Sequence, residues 1–263
     1  MSGKVYLVGA GPGDPELLTL KGWRILRSAD VVLHDDLVSP EILSLAAESA
    51  EVLNVGKRCG RKSLTQDDIN ARMLRAAGEG NTVVRLKGGD PLIFGRAGEE
   101  MEALRAAGVE FEVVPGVTAA LAAAASAEIP LTDRRLASRL VFLTGHRCRE
   151  DAWEALHGWT RGSTIVLYMP GDRVSDFARE LRVAGMPPKT PCIAVSEAST
   201  PREQIHRATL EELQRAPRWP SPTVLIIGHV ASAARTNTSR RRENRSILEL
   251  AGDAQVTQLP ALR

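Results

Sequence analysis

Short apolar runs closed by glycine, proline or a charge alternate along this chain with longer segments of helical spacing, a pattern that predicts strands connected through helices. Residues 5–8 (VYLV) read as a first strand, 9–15 as a glycine-proline loop, 16–28 as a helix containing the apolar Leu17, Leu20, Ile25 and Leu26, and 31–33 as a second strand. That order is a βαβ unit with an expected right-handed crossover. Strands follow at 52–55, 82–86 and 111–114, with helices from a Thr65 cap to about Gly78 and near 99–107. The PGVT at 115–118 ends this series, because proline and glycine close the strand and the next fifteen residues are alanine-rich helix. Beyond it the pattern predicts strands at 140–144, 163–168, 192–196 and 223–228, and helices at 151–156 and 172–184. The expected architecture is α/β, with an N-terminal domain over 1–116, a C-terminal domain over 117–234 and a ligand cleft between them. Residues 235–263 turn polar and are expected to lack fixed structure apart from a short helix at 247–251.

Composition adds little to that picture and removes several function classes. With 263 residues, 43% of them hydrophobic and 25% charged, the chain can bury ordinary globular cores. The net charge of +2 is uneven: six Lys or Arg against three acids in 235–263 leave the remaining 234 residues at −1. A nucleic-acid-binding body is not expected on that balance, and the basic tail reads as a solvated segment. Cys59, Cys148 and Cys192 are too few and too scattered for a disulfide framework or a clustered metal site, so no metal is expected. There is no export-signal pattern at the start and no apolar run of the ~20 residues a bilayer requires. A cytoplasmic protein without membrane segments is the expectation.

The chemistry concentrates at 82–100, TVVRLKGGDPLIFGRAGEE. Gly88 and Gly89 strip two Cβ atoms from the end of a strand, which lets a ligand approach the main chain, and Pro91 sets the exit direction behind Asp90. Arg96, Glu99 and Glu100 then bring both charge signs just past the strand end, where open α/β sheets bind ligands. The order strand, glycine, aspartate recurs at 8–14, 86–90 and 168–172, giving three bare strand ends that can share one cleft. The loop GAGPGD resembles a dinucleotide fingerprint and fails it, since the third glycine position falls on Asp14 and Pro12 sits inside the turn. Asp35 and Asp36 follow the second strand. Lys57, Arg58, Arg61 and Lys62 crowd the loop after the third, either as a solvated run or as a grip on a polyanion.

Seven segments in order, VGAGPGDPELLTLKG, ADVVLHDDLVSPEIL, VGKRCGRKSLTQDDIN, VVRLKGGDPLIFGRAGEE, VVPGVTAA, IPLT and VLYM, resemble the tetrapyrrole methylases over about residues 3–230, and within them the group that methylates uroporphyrinogen III. The resemblance implies S-adenosylmethionine as methyl donor, a homodimer, and conversion of a tetrapyrrole substrate to precorrin-2 on the way to siroheme, cobalamin and heme d1. Donor contacts in the family match Pro12, Gly88, Gly89, Asp90, Ile93, Thr118, Ala119, Met169 and Ala198. A proton acceptor matches Asp35 and a proton donor Lys57. Glu99 is a second candidate base, while Arg96, Arg58 and Lys62 suit the substrate's carboxylates. Departures from the commoner family pattern place Asp36 for Arg, Lys62 for His, Ala97 for Gly, Ser126 for Tyr and Asp133 for His, mostly on the acceptor side. A methylase of a later corrin precursor or of RNA, and a donor-binding regulatory protein without catalysis, stay open as alternatives.

Overall fold

The computed structural model describes residues 3–56, 64–145, 162–216 and 218–233. Two five-stranded sheets organise them. The first comprises β1 (Val5–Gly9), β2 (Val31–His34), β3 (Glu51–Asn54), β4 (Val83–Lys87) and β5 (Phe111–Val114), in the order β3-β2-β4-β1-β5. All its pairings are parallel. Its helices are α1 (Leu20–Leu26), α2 (Pro40–Leu43), α3 (Gln66–Gly78) and α4 (Ala97–Ala106). Every residue of β4 is buried, as expected for a central strand of a parallel sheet covered on both faces. One core packs Val8, Leu26, Ile42, Val84 and Leu86 together, and a second packs Leu7, Leu33, Met73, Val83 and Leu104.

The strand order places β1 beside β4, and their following connections leave toward opposite edges of the sheet: β1 leads to β2, β4 leads to β5. Such a reversal opens a crevice at the carboxyl ends of the two strands. The two glycine-bearing loops of the sequence emerge there.

The second sheet contains β6 (Arg139–Thr144), β7 (Ser163–Tyr168), β8 (Pro191–Ser196), β9 (Gln204–Thr209) and β10 (Thr223–Ile227), in the order β6-β7-β10-β8-β9. Only β6 and β7 run parallel; the other pairs are antiparallel. Helix α5 (Ala119–Ser126) buries Ala120, Ala122, Ala123 and Ala124 on one face of this sheet, against Val166, Ile193 and Ile226. Helix α6 (Val174–Val183) covers the other face with Phe177, Ala178 and Leu181. Small alanines let α5 lie close to the strands, whereas α6 needs Phe177 to fill its layer.

Several expected elements shift. The helix expected over 16–28 divides into a 3-10 turn, Pro15–Leu17, and α1. Two side chains impose the break: Asp14 accepts from Glu16 N at 2.9 Å and Thr19 from Gly22 N at 3.0 Å, so each caps its own segment. Thr65 caps α3 as expected, in a reciprocal box with Asp68. Helix α2 and strand β9 lacked a readable pattern; β9 is an edge strand whose Gln204, His206 and Arg207 stand exposed. The helix expected at 151–156 and the one at 247–251 lie outside the described residues.

Candidate functional site

The crevice between β1 and β4 is closed by backbone. Ala10 N donates to Lys87 O at 2.8 Å, Gly11 N donates to Gly89 O at 3.1 Å, and Gly89 N returns a bond to Gly11 O at 2.7 Å. The two loops therefore form a small antiparallel bridge across the ends of parallel strands. The start of the PGVT segment lies against it. A Cβ on Gly116 would sit 2.3 Å from Gly89 O, so three strand ends meet at main-chain distance. Asp90 ties the same pieces together, its carboxylate accepting from Leu92 N at 2.8 Å and from Gly116 N at 3.0 Å.

The second sheet reaches this crevice through Tyr168. Its phenol hydrogen-bonds Thr118 Oγ1 at 2.7 Å and accepts from Ala120 N at 3.3 Å. Burial pushes the phenol's pKa upward, against the lowering effect of the Thr118 and Ala120 bonds. The ring packs 5.0 Å from Phe94 and 5.5 Å from Phe142, centroid to centroid. Ile93 and Ala119 pack on the apolar layer of the second sheet. Met169 follows Tyr168 with φ of +49° and 41% of its surface exposed.

Backbone strain gathers along the same rim. Phe94, Arg96, Met169, Glu197 and Ser199 all adopt left-handed φ values between +49° and +64°. For non-glycine residues this conformation costs of order 1 kcal/mol or more each, and such clustering is a feature of ligand sites. Ala198 is buried between two of them. The loop that carries it touches the first sheet's glycine loop, because Asp14 N donates to Ser199 Oγ at 3.4 Å. Pro12 is half-buried in that glycine loop, and Ser39 Oγ donates to the neighbouring Gly13 O at 3.1 Å.

The residues singled out as donor contacts lie at strand ends and loops of both sheets, which are joined by the Tyr168 contacts with Thr118 and Phe94 and by the bond from Asp14 to Ser199. Gly88, Gly89, Asp90 and Ile93 come from the β4 turn, Pro12 from the β1 turn, Thr118 and Ala119 from the start of α5, and Met169 and Ala198 from the ends of β7 and β8.

The charged flank differs from the sequence expectation in its details. Strand β4 runs one residue beyond the expected 82–86 to include Lys87, which is 2% exposed, as is Arg85 two residues earlier. Arg85 Nε donates to Glu100 Oε1 at 2.9 Å, and its Nη2 is ion-paired with Asp35 at the end of β2. Lys87 Nζ lies 2.9 Å from Glu100 Oε2. Glu100 itself is fully buried. Burial, followed by the charge of Arg85, lowers the Lys87 pKa from the usual lysine range. Glu99, in contrast, stands half-exposed and chelates Arg96, with Nε to Oε1 at 2.7 Å and Nη2 to Oε2 at 2.6 Å. That bond raises the Arg96 pKa further. Lys57, Arg58 and Lys62 lie outside the described residues.

The two acids that depart from the family pattern have local partners. Asp36 accepts from Asn54 Nδ2 at 2.6 Å. Asp133 is held by Arg135, 3.0 Å from Nη2, which brings its pKa to about 2. Sequence reasoning passed over Arg85, Lys87, Gln66, Phe94 and Tyr168. One signal was present: an arginine inside VVRLK, a run otherwise fit for a buried strand, demands a buried counter-charge.

Fold and site together define an α/β enzyme class with two sheets, a strand-end crevice lined by bare main chain, and a buried ion cluster at its flank. Among the described residues no group of three or more His, Cys, Asp or Glu is disposed to hold a metal ion. The chain belongs to the tetrapyrrole (corrin/porphyrin) methylases, whose family model matches residues 4–214. It is 48% identical over 240 residues to a uroporphyrinogen-III C-methyltransferase of Paracoccus denitrificans, covering 88% of this chain and 83% of that one. A siroheme synthase of Tolumonas auensis is 46% identical over 239 residues, but this chain spans only 50% of its length. The crystal structure of a uroporphyrin-III C-methyltransferase from Thermus thermophilus complexed with S-adenosyl homocysteine superposes with a TM-score of 0.76 at 43% identity, covering 88% of this chain and 99% of that one.

Proposed function

We propose that this chain transfers methyl groups from S-adenosylmethionine to pyrrole carbons of uroporphyrinogen III, giving precorrin-2 by way of precorrin-1. The observation that carries the reading is the meeting of three bare strand ends at Gly11, Gly89 and Gly116, with Tyr168 of the second sheet packed beside them on Thr118 and Phe94. It is supported by the similarity to the Thermus enzyme, which was crystallised with the demethylated donor.

The crevice suits the donor's chemistry. A zwitterionic amino-acid end, a ribose and an adenine need main-chain donors and acceptors at close range together with apolar cover. Gly88, Gly89, Asp90, Thr118, Ala119, Ala198 and Pro12 offer the first, and Ile93 and Met169 the second. The donor, when bound, supplies an electrophilic methyl on a sulfonium. Methyl transfer is an in-line displacement, so the chain's task is to hold the reacting atoms within ~3.5 Å and aligned, with water excluded.

On the acceptor flank, attack by a pyrrole carbon leaves a cationic ring that must lose a proton. Asp35 is assigned as its acceptor, Lys57 as the complementary proton donor, and Glu99 as an alternative base. The eight carboxylates of the substrate call for cations, a role given to Arg96, Arg58 and Lys62. The ion pair with Arg135 offsets the charge of Asp133, one of the two extra acids, which favours keeping a polyanionic acceptor.

The division of the chain near residue 116, a homodimeric assembly and a cytoplasmic location belong to this reading. Among the described residues no helix is long and apolar enough to cross a membrane. The deciding experiment supplies S-adenosylmethionine and enzymatically generated uroporphyrinogen III and follows methyl incorporation. One- and two-methyl products are expected; donor binding without turnover overturns the assignment of substrate. Arg96→Ala should raise the tetrapyrrole KM by about tenfold or more while leaving the dissociation constant of S-adenosyl homocysteine within about twofold. Equal loss of both would refute the separation of donor and acceptor flanks.

A further inference from the structure

The buried cluster beneath the acceptor flank is more elaborate than fold stability requires. It contains two cations and two anions drawn from three elements: Arg85 and Lys87 on β4, Glu100 on α4 and Asp35 at the end of β2. Glu100 has no exposure, and its Oε1 accepts from Arg85 Nε at 2.9 Å, Lys87 Nζ at 3.0 Å and Gln66 Nε2 at 3.3 Å. Apolar side chains would fill the space of Arg85, Lys87 and Glu100 at less desolvation cost, so burial of these three ions points to a use beyond stability.

The geometry of Arg85 indicates that use. Its Nε is fixed by Glu100, and its Nη1 donates to the carbonyls of Leu33 and Leu86 at 3.3 Å each. A guanidinium is planar, so these three bonds determine the direction of Nη2, which meets the Asp35 carboxylate. Asp35 keeps 30% of its side chain exposed, whereas Arg85 keeps 3%. One end of the relay is therefore sealed and the other accessible. Among the described residues, His34 Nδ1 bonds the Asp35 carbonyl at 3.0 Å and not its carboxylate, Asn54 engages the neighbouring Asp36, and Lys87 acts on Asp35 through its charge.

We propose that Glu100 is a positioning residue for Asp35, acting through Arg85: it fixes the plane of the guanidinium, and the guanidinium fixes the orientation of the carboxylate that faces the acceptor. This rests on the assignment of Asp35 to the acceptor flank. It also gives a reason for two adjacent glutamates with different surroundings, Glu99 on the surface chelating Arg96 and Glu100 buried under Asp35.

Two variants test it. Glu100→Gln keeps shape and one acceptor oxygen but leaves two buried cations facing one anion. Arg85→Lys keeps every charge and removes only the planar fork, so it protects the test against a misfolded Glu100→Gln. For both, kcat for methyl transfer should fall about tenfold or more while S-adenosyl homocysteine binds within about twofold of the parent. Glu100→Asp, which retains the charge, should recover part of the loss. In an Asp35→Asn background neither variant should cost more than about a further twofold, because residues that act through one another are not additive. Unchanged kcat in Arg85→Lys, or full additivity with Asp35→Asn, overturns the proposal. A readout without turnover separates this claim from the proposed reaction: the carbon-13 resonance of the Asp35 carboxyl, assigned by its loss in Asp35→Asn, should move in both variants. If it does not move, the relay is absent even in an enzyme that methylates uroporphyrinogen III. If it moves in a protein that methylates nothing, the relay stands and the substrate assignment falls.

Discussion

At Gly116 a single missing methyl group decides whether three strand ends can meet. Its ideal Cβ position lies 2.3 Å from Gly89 O and 2.8 Å from Gly9 Cα, backbone atoms that cannot rotate away. Gly116→Ala should therefore cost about 3 kcal/mol in a denaturant titration, since the loops must part to admit the side chain. It should also weaken S-adenosyl homocysteine binding measured by calorimetry; a variant of parent-like stability and affinity would show that the strand ends are not packed at this distance. Residue-scale legibility was uneven. Gly88 and Gly89 announced a stripped strand end in the sequence. Gly116, in a PGVT segment that read only as a domain hinge, touches residues more than twenty positions away, and no local pattern reports such a contact.

The elements add a second lesson, carried by β7. It pairs with β6 on one side and β10 on the other and is buried throughout, and the run STIVLY read as a strand. What the run did not disclose is that its last residue, Tyr168, sends a phenol to Thr118 and Ala120 at the start of α5. Tyr168→Phe should lower stability by about 1–3 kcal/mol in urea unfolding, because Ala120 N is left buried without its partner. A parallel loss of donor affinity is expected, since Thr118 and Ala119 would lose their anchor; stability lost without any change in affinity would place Tyr168 outside the site's support. The strands and helices themselves were legible wherever apolar spacing was regular, as in β1, β5, α3 and β7. Those set by other signals were missed or blurred: α2 is four residues long, β9 is exposed along an edge, and the 16–28 helix is divided by two capping side chains.

For the whole molecule, the family match ends at residue 214 and the second sheet closes with β10 at Ile227. Every residue assigned to the donor or acceptor flank precedes Ala198 or is that residue. Removing 235–263 should leave kcat and the donor dissociation constant within about twofold of the full chain. Loss of activity on truncation would instead favour an acceptor recruited by the basic tail. Alternating strands and helices, the stripped turn at 86–90, the lack of a dinucleotide fingerprint and the family's ordered motifs are all properties of residues close in the chain. They were determined by the sequence alone, because periodicity, turn chemistry and motif order are local. Tertiary structure decided the rest. It set β1 beside β4 so that two glycine loops share a crevice, brought Tyr168 across from the second sheet, and sorted two adjacent glutamates into a surface partner of Arg96 and a buried anchor of Arg85. Burial and ion pairing depend on which distant groups arrive at the same place, and that is a property of the packed chain.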